Sequence, residues 1–345
     1  DLCCFWHRSG SSKYKVFQDP SAGRKVVVIR IARPPSLPPK FIPSPDPLPG
    51  IVRLALYLLC TISALVLLTI VRPHTDDGLI HQIGKNCALV GFMILVMQTI
   101  LASRFKWIER PFGMDMVIRF HKAAAVVAIT LLLLHPPLVA LGSHHWQLLN
   151  GLDIRWPVWL GRIAMLALLI NVGTSLWRSR LNIKFESWRS LHNLLGIVIL
   201  SVGFVHSYRI GGDLSALPMR AFWILAFASA AAVYIFHRSL RPVLLRRHQF
   251  SVTRIRQETP RVWAVQLEPM GDREVVPYIP GQFQYVTLHR AQGLPVEEHH
   301  WTISSSPTRP GLEMTIKESG DFTSTIGLTK VGDRAEVLGP YGRPE

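Results

Sequence analysis

The sequence predicts an all-α bundle of six membrane-crossing helices followed by a small antiparallel β-barrel. Apolar residues make up 49% of the 345 positions and charged ones only 17%, and up to about residue 240 the apolar residues come in long blocks. From about residue 249 they break into short alternating runs. The loops between the blocks are alternately rich and poor in Lys and Arg. About 20 apolar residues at helical rise cross a hydrocarbon core of about 30 Å, whereas alternation marks half-buried strands.

Residues 1–50, which include Cys3, Cys4 and the tract ARPPSLPPKFIPSPDPLPG, form a Pro-rich basic tail, expected to be disordered because proline removes donors and fixes φ. The transmembrane domain covers 51–240, with spans at 51–71, 87–103, 117–141, 158–176, 190–210 and 218–236. Residues 249–345 form the barrel, with strands in FSVTRIR, RVWAVQLEP, FQYVTLH, HHWTISSS, LEMTIKE and DRAEVLG and one short helix in FTSTIGLTK. The four cysteines show no metal-finger spacing and no disulfide framework. Cys60 and Cys87 read as apolar packing residues in or near spans.

A net charge of +16 could point to nucleic acid, but its distribution does not. Arg104, Lys106 and Arg110 lie between spans two and three, Arg178, Arg180, Lys184 and Arg189 between four and five, and Arg238, Arg241, Arg246 and Arg247 after span six. The positive-inside rule makes these loops and both termini cytoplasmic. The reading is therefore an integral multi-pass membrane protein whose barrel is cytoplasmic and whose surrounding partner is lipid, with no nucleic acid.

Four histidines mark the candidate site. His121 and His135 lie in the third span and His192 and His206 in the fifth, each pair separated by 14 positions. On an α-helix that interval is about 21 Å and about four turns, so each pair shares a face. Both spans run outward, so His121 meets His192 near the inner surface and His135 meets His206 near the outer one. Facing imidazoles at two depths are axial ligands for two stacked haems, and ionisable groups inside a membrane are functional by default. Ala124, Ala125, Ala128, Gly196 and Gly203 leave room for flat porphyrins, although small residues also permit close helix packing. Leu195, Ile199 and Ala128 would form the apolar medium between the two levels. Arg119, Lys122 and Arg209 are either propionate partners or interfacial anchors.

The barrel carries YIPGQF (Tyr278 to Phe283), HHWTISSSP (His299 to Pro307), KESGDFTSTI (Lys317 to Ile326) and LGPYG. Gly320 permits an unusual backbone angle or a close approach. The helix after it would aim its first N–H groups, with Thr323 and Ser324, at a pyrophosphate. Together with the paired histidines, these phrases resemble the ferric reductase and NADPH oxidase superfamily, in which a haem-bearing helical domain is joined to a ferredoxin-reductase-type FAD-binding domain. HHWTISS is similar to that family's HPFTIS phrase, with His300 standing where Pro is common.

The resemblance implies two haem b groups and FAD as cofactors. It implies that His299 meets the flavin ribityl or phosphate portion, that Trp301 shields it and that Thr302 bonds near the reactive edge. Pro280, Gly281, Gln282, Phe283, Ser304, Gly320, Thr323 and Ser324 complete the implied cofactor set. The family continues into a nicotinamide domain, and no G-x-G-x-x-G occurs here. Truncation before that domain is the expectation, with NAD(P)H as the distal donor.

The implied activity is transmembrane electron transfer from cytoplasmic reduced FAD through two haems to an external acceptor, with no base or nucleophile required. A ferric chelate is the favoured acceptor, which His144 and His145 in the outer loop could meet. The alternative is O2 reduced to superoxide by an NAD(P)H oxidase. A di-haem quinol or ascorbate cytochrome would need no flavin barrel, and a receptor or transporter would need no haem. NADH or NADPH preference, oligomeric state and any regulatory subunit are not encoded in these patterns.

Overall fold

A computed structural model describes residues 8–9, 12–13, 48–71, 78–246, 249–271 and 275–342. The chain divides into two compact units, Asp1–Pro45 and Asp46–Glu345. In the first, Arg8–Ser9 pairs antiparallel with Ser12–Lys13. Cys3, Cys4 and most of the expected disordered tail lie outside the described residues, and residues 48–50 of that expected tail are helical.

Among the described residues six helices are long and apolar enough to cross a membrane: α1 (Leu48–Val71), α2 (Leu79–Ala102), α3 (Met114–Ser143), α4 (Trp156–Leu176), α5 (Phe185–Ile210) and α6 (Leu217–Ile235). The last continues through a π turn at Phe236–Leu240 into Arg241–Arg246. Their outer faces expose Leu54, Leu58, Val126, Leu166, Leu169 and Leu225. A helix satisfies its own backbone in lipid, so this apolar sheath is that of an integral multi-pass membrane protein.

Most spans are offset from the expected bounds by a few residues, α5 starting at Phe185 rather than at 190, and two differences have a physical reason. α2 already starts at Leu79 rather than at residue 87, because the polar residues that blur its apolar pattern are used inside the bundle, as in the Lys85 to Asp213 ion pair at 3.4 Å. α3 runs 30 residues straight through Pro136 and Pro137. Each proline removes one helical hydrogen bond, and the rest of that long helix holds the geometry.

α2 packs along α3, and α4 along α5, whereas α3 and α5 make hardly any direct backbone contact. The bundle is thus two helix pairs with a gap between them. α2 supplies much of the core through Leu89, Phe92, Met93, Ile94 and Val96, which meet α1, α3 and α6.

Six strands form one antiparallel sheet: β1 (Gln249–Thr259), β2 (Val262–Pro269), β3 (Phe283–His289), β4 (Glu298–Thr302), β5 (Leu312–Lys317) and β6 (Arg334–Tyr341), in the order β4-β3-β6-β1-β2-β5. The outer strands meet at one bridge, Ile303 with Met314, which curls the sheet into a half-barrel. Alternation along β3 buries Gln284, Val286 and Leu288 on the inner face. They join Val252, Val265, Leu267, Met314 and Ile316 in the core. Fold class and strand positions thus match the expectation. The expected short helix is a 3-10 segment, Thr323–Leu328.

Candidate functional site

α3 and α5 face each other across the gap at two levels. The ring centres of His121 and His192 are 6.5 Å apart, and those of His135 and His206 are 6.4 Å apart. Two imidazole–metal bonds of about 2 Å, with about 1.2 Å from each nitrogen to its ring centre, sum to about 6.4 Å. Both pairs therefore fit one metal held between two imidazoles. Among the described residues no group of three or more His, Cys, Asp or Glu forms a metal cage. A metal at either pair would therefore take two imidazole ligands from the described residues.

The hydrogen bonds decide which ring nitrogen is available. His135 Nδ1 lies 2.9 Å from the Gly84 carbonyl and His206 Nδ1 lies 2.7 Å from the Pro157 carbonyl. A carbonyl only accepts, so both Nδ1 atoms carry the proton and both Nε2 atoms keep a lone pair.

His192 reaches the same state through a hydroxyl. Ser175 Oγ donates to Asn171 O at 2.7 Å and accepts from Trp188 Nε1 at 3.2 Å, so its contact with His192 Nδ1 at 3.4 Å is one in which the imidazole donates. Asn171 Nδ2 also donates to His192 O at 3.4 Å. The His121 Nδ1 atom is buried and has no hydrogen-bond partner.

Glycines let the neighbouring helices come close enough to make these bonds. A Cβ on Gly161 would stand 2.7 Å from His206 Cε1, and one on Gly84 would stand 2.9 Å from Val139 N. Gly196 has open space beside it, as a flat group would need, but a Cβ on Gly203 would meet Phe92 at 3.1 Å, so Gly203 serves packing against α2. Ala124 and Ala128 likewise pack with Tyr57, Ile94 and Leu101. The apolar layer between the two levels is built from Leu195 and Ile199 of α5 with Ile129 and Leu132 of α3, Leu95, Ala167 and Leu168. Ala128 belongs to the other cluster. Arg119, Lys122 and Arg209 are exposed, and the Arg209 guanidinium lies 5.9 Å from the Trp156 ring centre.

In the barrel, His299 and Trp301 share one face of β4 and cluster with Phe322, with ring centres 4.2 Å apart for His299 and Phe322 and 6.0 Å for Trp301 and Phe322. His299 also contacts Glu297 at 3.0 Å. His300 and Thr302 are exposed on the opposite face. Gly281 takes φ +93°, which favours glycine. Beside it Gln282 accepts from Ile279 N and donates to Gly342 O, both at 2.9 Å, fastening the Pro280–Gly281 turn to the GPYG phrase. Phe283 meets the Tyr341 ring at 6.0 Å, and the Ser304 hydroxyl accepts from Thr315 at 3.2 Å.

Around Gly320 there is open space, without the positive φ that was one of its two expected uses. The N–H groups of Ser319 and Gly320 donate to Thr323 Oγ1 at 2.8 and 2.9 Å, and Ser324 Oγ donates to Asp321 O at 2.8 Å. These bonds tie the Ser319–Gly320 backbone to the start of the 3-10 segment. The Phe322 N–H and then Lys184 hold the Asp321 carboxyl below its usual range.

Residues that the sequence assigned only to topology join the two halves. Arg104, at φ +54°, ion-pairs with Glu298 at 2.5 Å and lies over the Tyr285 ring at 3.8 Å. Arg241 donates to Ser103 O at 3.0 Å and to Tyr341 OH at 2.9 Å. Lys106 Nζ donates to Gly339 O at 2.6 Å, and buried Glu109 accepts from Gly342 N at 2.7 Å. The barrel thus docks at the end of the bundle that carries His121 and His192.

The fold and histidine pairs define a class: a six-span integral membrane protein with two intramembrane two-imidazole sites and a docked β-domain. Residues 87–203 match the family model "Ferric reductase like transmembrane component". That segment, which holds His121, His135 and His192, is what this chain shares with the ferric reductase-like transmembrane family. A relative from Archaeoglobus fulgidus, "Uncharacterized protein", is 26% identical over 155 residues, 43% of this chain and 84% of the relative.

Among solved structures, the ferredoxin reductase in carbazole 1,9a-dioxygenase is 26% identical with a TM-score of 0.24, covering 28% of this chain and 29% of its own. The flavohem-like FAD/NAD binding domain of nitric oxide dioxygenase from Vibrio cholerae O1 biovar El Tor is 20% identical with a TM-score of 0.26, covering 28% and 44%. The chain thus spans less than half the length of either.

Proposed function

We propose that this protein is a transmembrane electron conduit. It would carry electrons from reduced FAD at the cytoplasmic barrel, fed by NAD(P)H, through two b-type haems to an external ferric chelate. When bound, the flavin accepts a hydride and releases electrons singly, and each haem iron cycles by one electron. The chain supplies placement. His121 with His192 would hold the inner iron and His135 with His206 the outer one.

The observation that carries this reading is the pair of matching ring separations, 6.5 and 6.4 Å, in one gap. The layer of Leu195, Ile199, Ile129 and Leu132 keeps polar groups from between the levels. Docking of the barrel beside the inner pair supports the direction of flow. The basic loops at that end support its cytoplasmic side.

On the barrel, exposed Thr302 and Ser304 and half-buried His299 and Trp301 are the groups we assign to flavin. Pro280, Gly281, Gln282 and Phe283 shape the turn, and Gly320, Thr323 and Ser324 would hold the phosphate end. The Thr323 hydroxyl must exchange its present backbone partners for the ligand.

The test is a reduced-minus-oxidised absorbance spectrum of the purified protein and of single His→Ala variants. Two b-type centres are expected, with one lost on replacing any of the four histidines. Haem content unchanged in all four variants overturns the ligand assignment. With electrons supplied from NAD(P)H, product from ferric chelate that is insensitive to superoxide dismutase supports the chelate as acceptor, and product abolished by that enzyme assigns O2 instead.

A further inference from the structure

Where the barrel meets the turn after α2, the structure holds a cavity of about 220 Å3. Its wall is almost wholly apolar, formed by Phe250, Val275, Ile303, Leu312, Val337 and Pro340 among others, and it includes none of the residues assigned to flavin above. Three polar side chains interrupt this wall, Gln249, Gln284 and Lys106, and of these Gln284 and Lys106 are brought together.

Gln284 is 1% exposed, points to the barrel interior on the same strand face as Val286 and Leu288, and its Nε2 has no hydrogen-bond partner. A buried donor left unpaired costs about 1–3 kcal/mol. Lys106 reaches in from the membrane side and gives one hydrogen to Gly339 O at 2.6 Å, leaving the rest of its three-donor capacity. Gly339 brings the two together, since a Cβ there would lie 2.9 Å from Gln284 Cβ.

The unpaired Gln284 Nε2 and the Lys106 ammonium are both donors and one is a cation, so their complement is an acceptor carrying negative charge. A dry cavity of about 150 Å3 takes a benzene ring, so this one has room for a chain of roughly eight carbons. We propose that the cavity binds a medium-chain fatty acid, its carboxylate accepting from Gln284 Nε2 and Lys106 Nζ and its tail lying among Phe250, Ile303, Leu312 and Val337. Such an occupant would compete with Gly339 O for the lysine. Burial, then Arg110, already holds the Lys106 amine below its usual range, with Glu109 opposing, and a carboxylate partner would reverse that.

The test is equilibrium dialysis of radiolabelled octanoate against the full chain in lipid nanodiscs, with empty discs subtracted and no electron donor present. Failure here therefore leaves the electron-transfer reading untouched. Saturable binding at one site is expected, with octanol, which lacks the carboxylate, about tenfold weaker or more. Gln284→Leu should weaken octanoate about tenfold, and Ile303→Trp should abolish binding with the haem spectrum unchanged. Binding that does not saturate, octanol binding as tightly as octanoate, or full retention in Ile303→Trp overturns the proposal; the comparison of the two ligands on the unmutated chain decides the matter even if a variant fails to fold.

Discussion

At Ser175 a single proton settles the state of an imidazole. Its hydroxyl is committed to Asn171 O and it accepts from Trp188, so His192 must donate from Nδ1. Ser175→Ala removes that constraint and strands two buried donors. Loss of such an orienting partner lowers metal affinity about 10- to 100-fold. We expect the inner haem to be lost selectively, read as haem per protein, while Ser175→Thr keeps it. His121, His135, His192 and His206 were legible because ionisable residues at a repeated interval stand out in apolar sequence. Asn171 and Ser175 gave the same signal, polar residues one turn apart in a span, but without a second pair to register against. Glu109 is a different case. Burial raises its carboxyl above the usual range, against the pull of the Gly342 N–H, Lys106 and Arg110. A raised acid favours the folded state most fully below its unfolded pKa of about 4.3, and that contribution fades as pH climbs through the raised folded value. Glu109→Gln keeps an oxygen for Gly342 N and has no charge to bury. The variant should therefore melt higher than the parent at pH 8, and the difference should shrink toward pH 4.5; equal melting temperatures across that range would refute the argument.

Helices meet here through glycines, and their sequence signal is weak because a glycine in a span reads equally as packing or as space for a cofactor. Gly203 and Gly161 illustrate the ambiguity: the first faces Phe92, while the second seats the His206 ring. Apolar length was enough to locate six spans, and alternation was enough to locate six strands. What escaped was where polar residues continue a helix, as at the start of α2, and which neighbour each small residue faces, since both depend on partners distant in the chain. Gly161→Val places a Cβ 2.7 Å from His206 Cε1 and must push α4 from α5 or turn the imidazole. The Nδ1 bond to Pro157 O goes with it. Because the disturbance sits at the outer level, the variant should lose the outer haem and keep the inner one, seen as about half the parent's haem content with one of two midpoint potentials remaining.

Across the whole molecule, the basic residues of the loops also hold the barrel. Sequence shows their sign and place, and it cannot show that Arg104 finds Glu298, nearly two hundred positions away, or that Arg241 finds Tyr341. An isolated surface pair contributes about 0–1 kcal/mol, but the Arg104–Glu298 pair is partly buried and backed by the Tyr285 ring at 3.8 Å, and charge-assisted bonds of that kind are roughly twice as strong as neutral ones. Arg104→Glu replaces attraction with repulsion at the joint. If flavin and inner haem exchange electrons only while docked, this variant should keep its haem and flavin content and lose about tenfold or more in the rate of haem reduction by the reduced flavin, measured by stopped-flow absorbance. Glu298→Arg should impose a similar loss alone and restore much of the rate when combined with Arg104→Glu, because the pair is then re-formed with its signs exchanged. Cofactor content that falls in step with the rate would assign the defect to folding, and a double variant no better than either single one would show that the pair does not set the docked geometry.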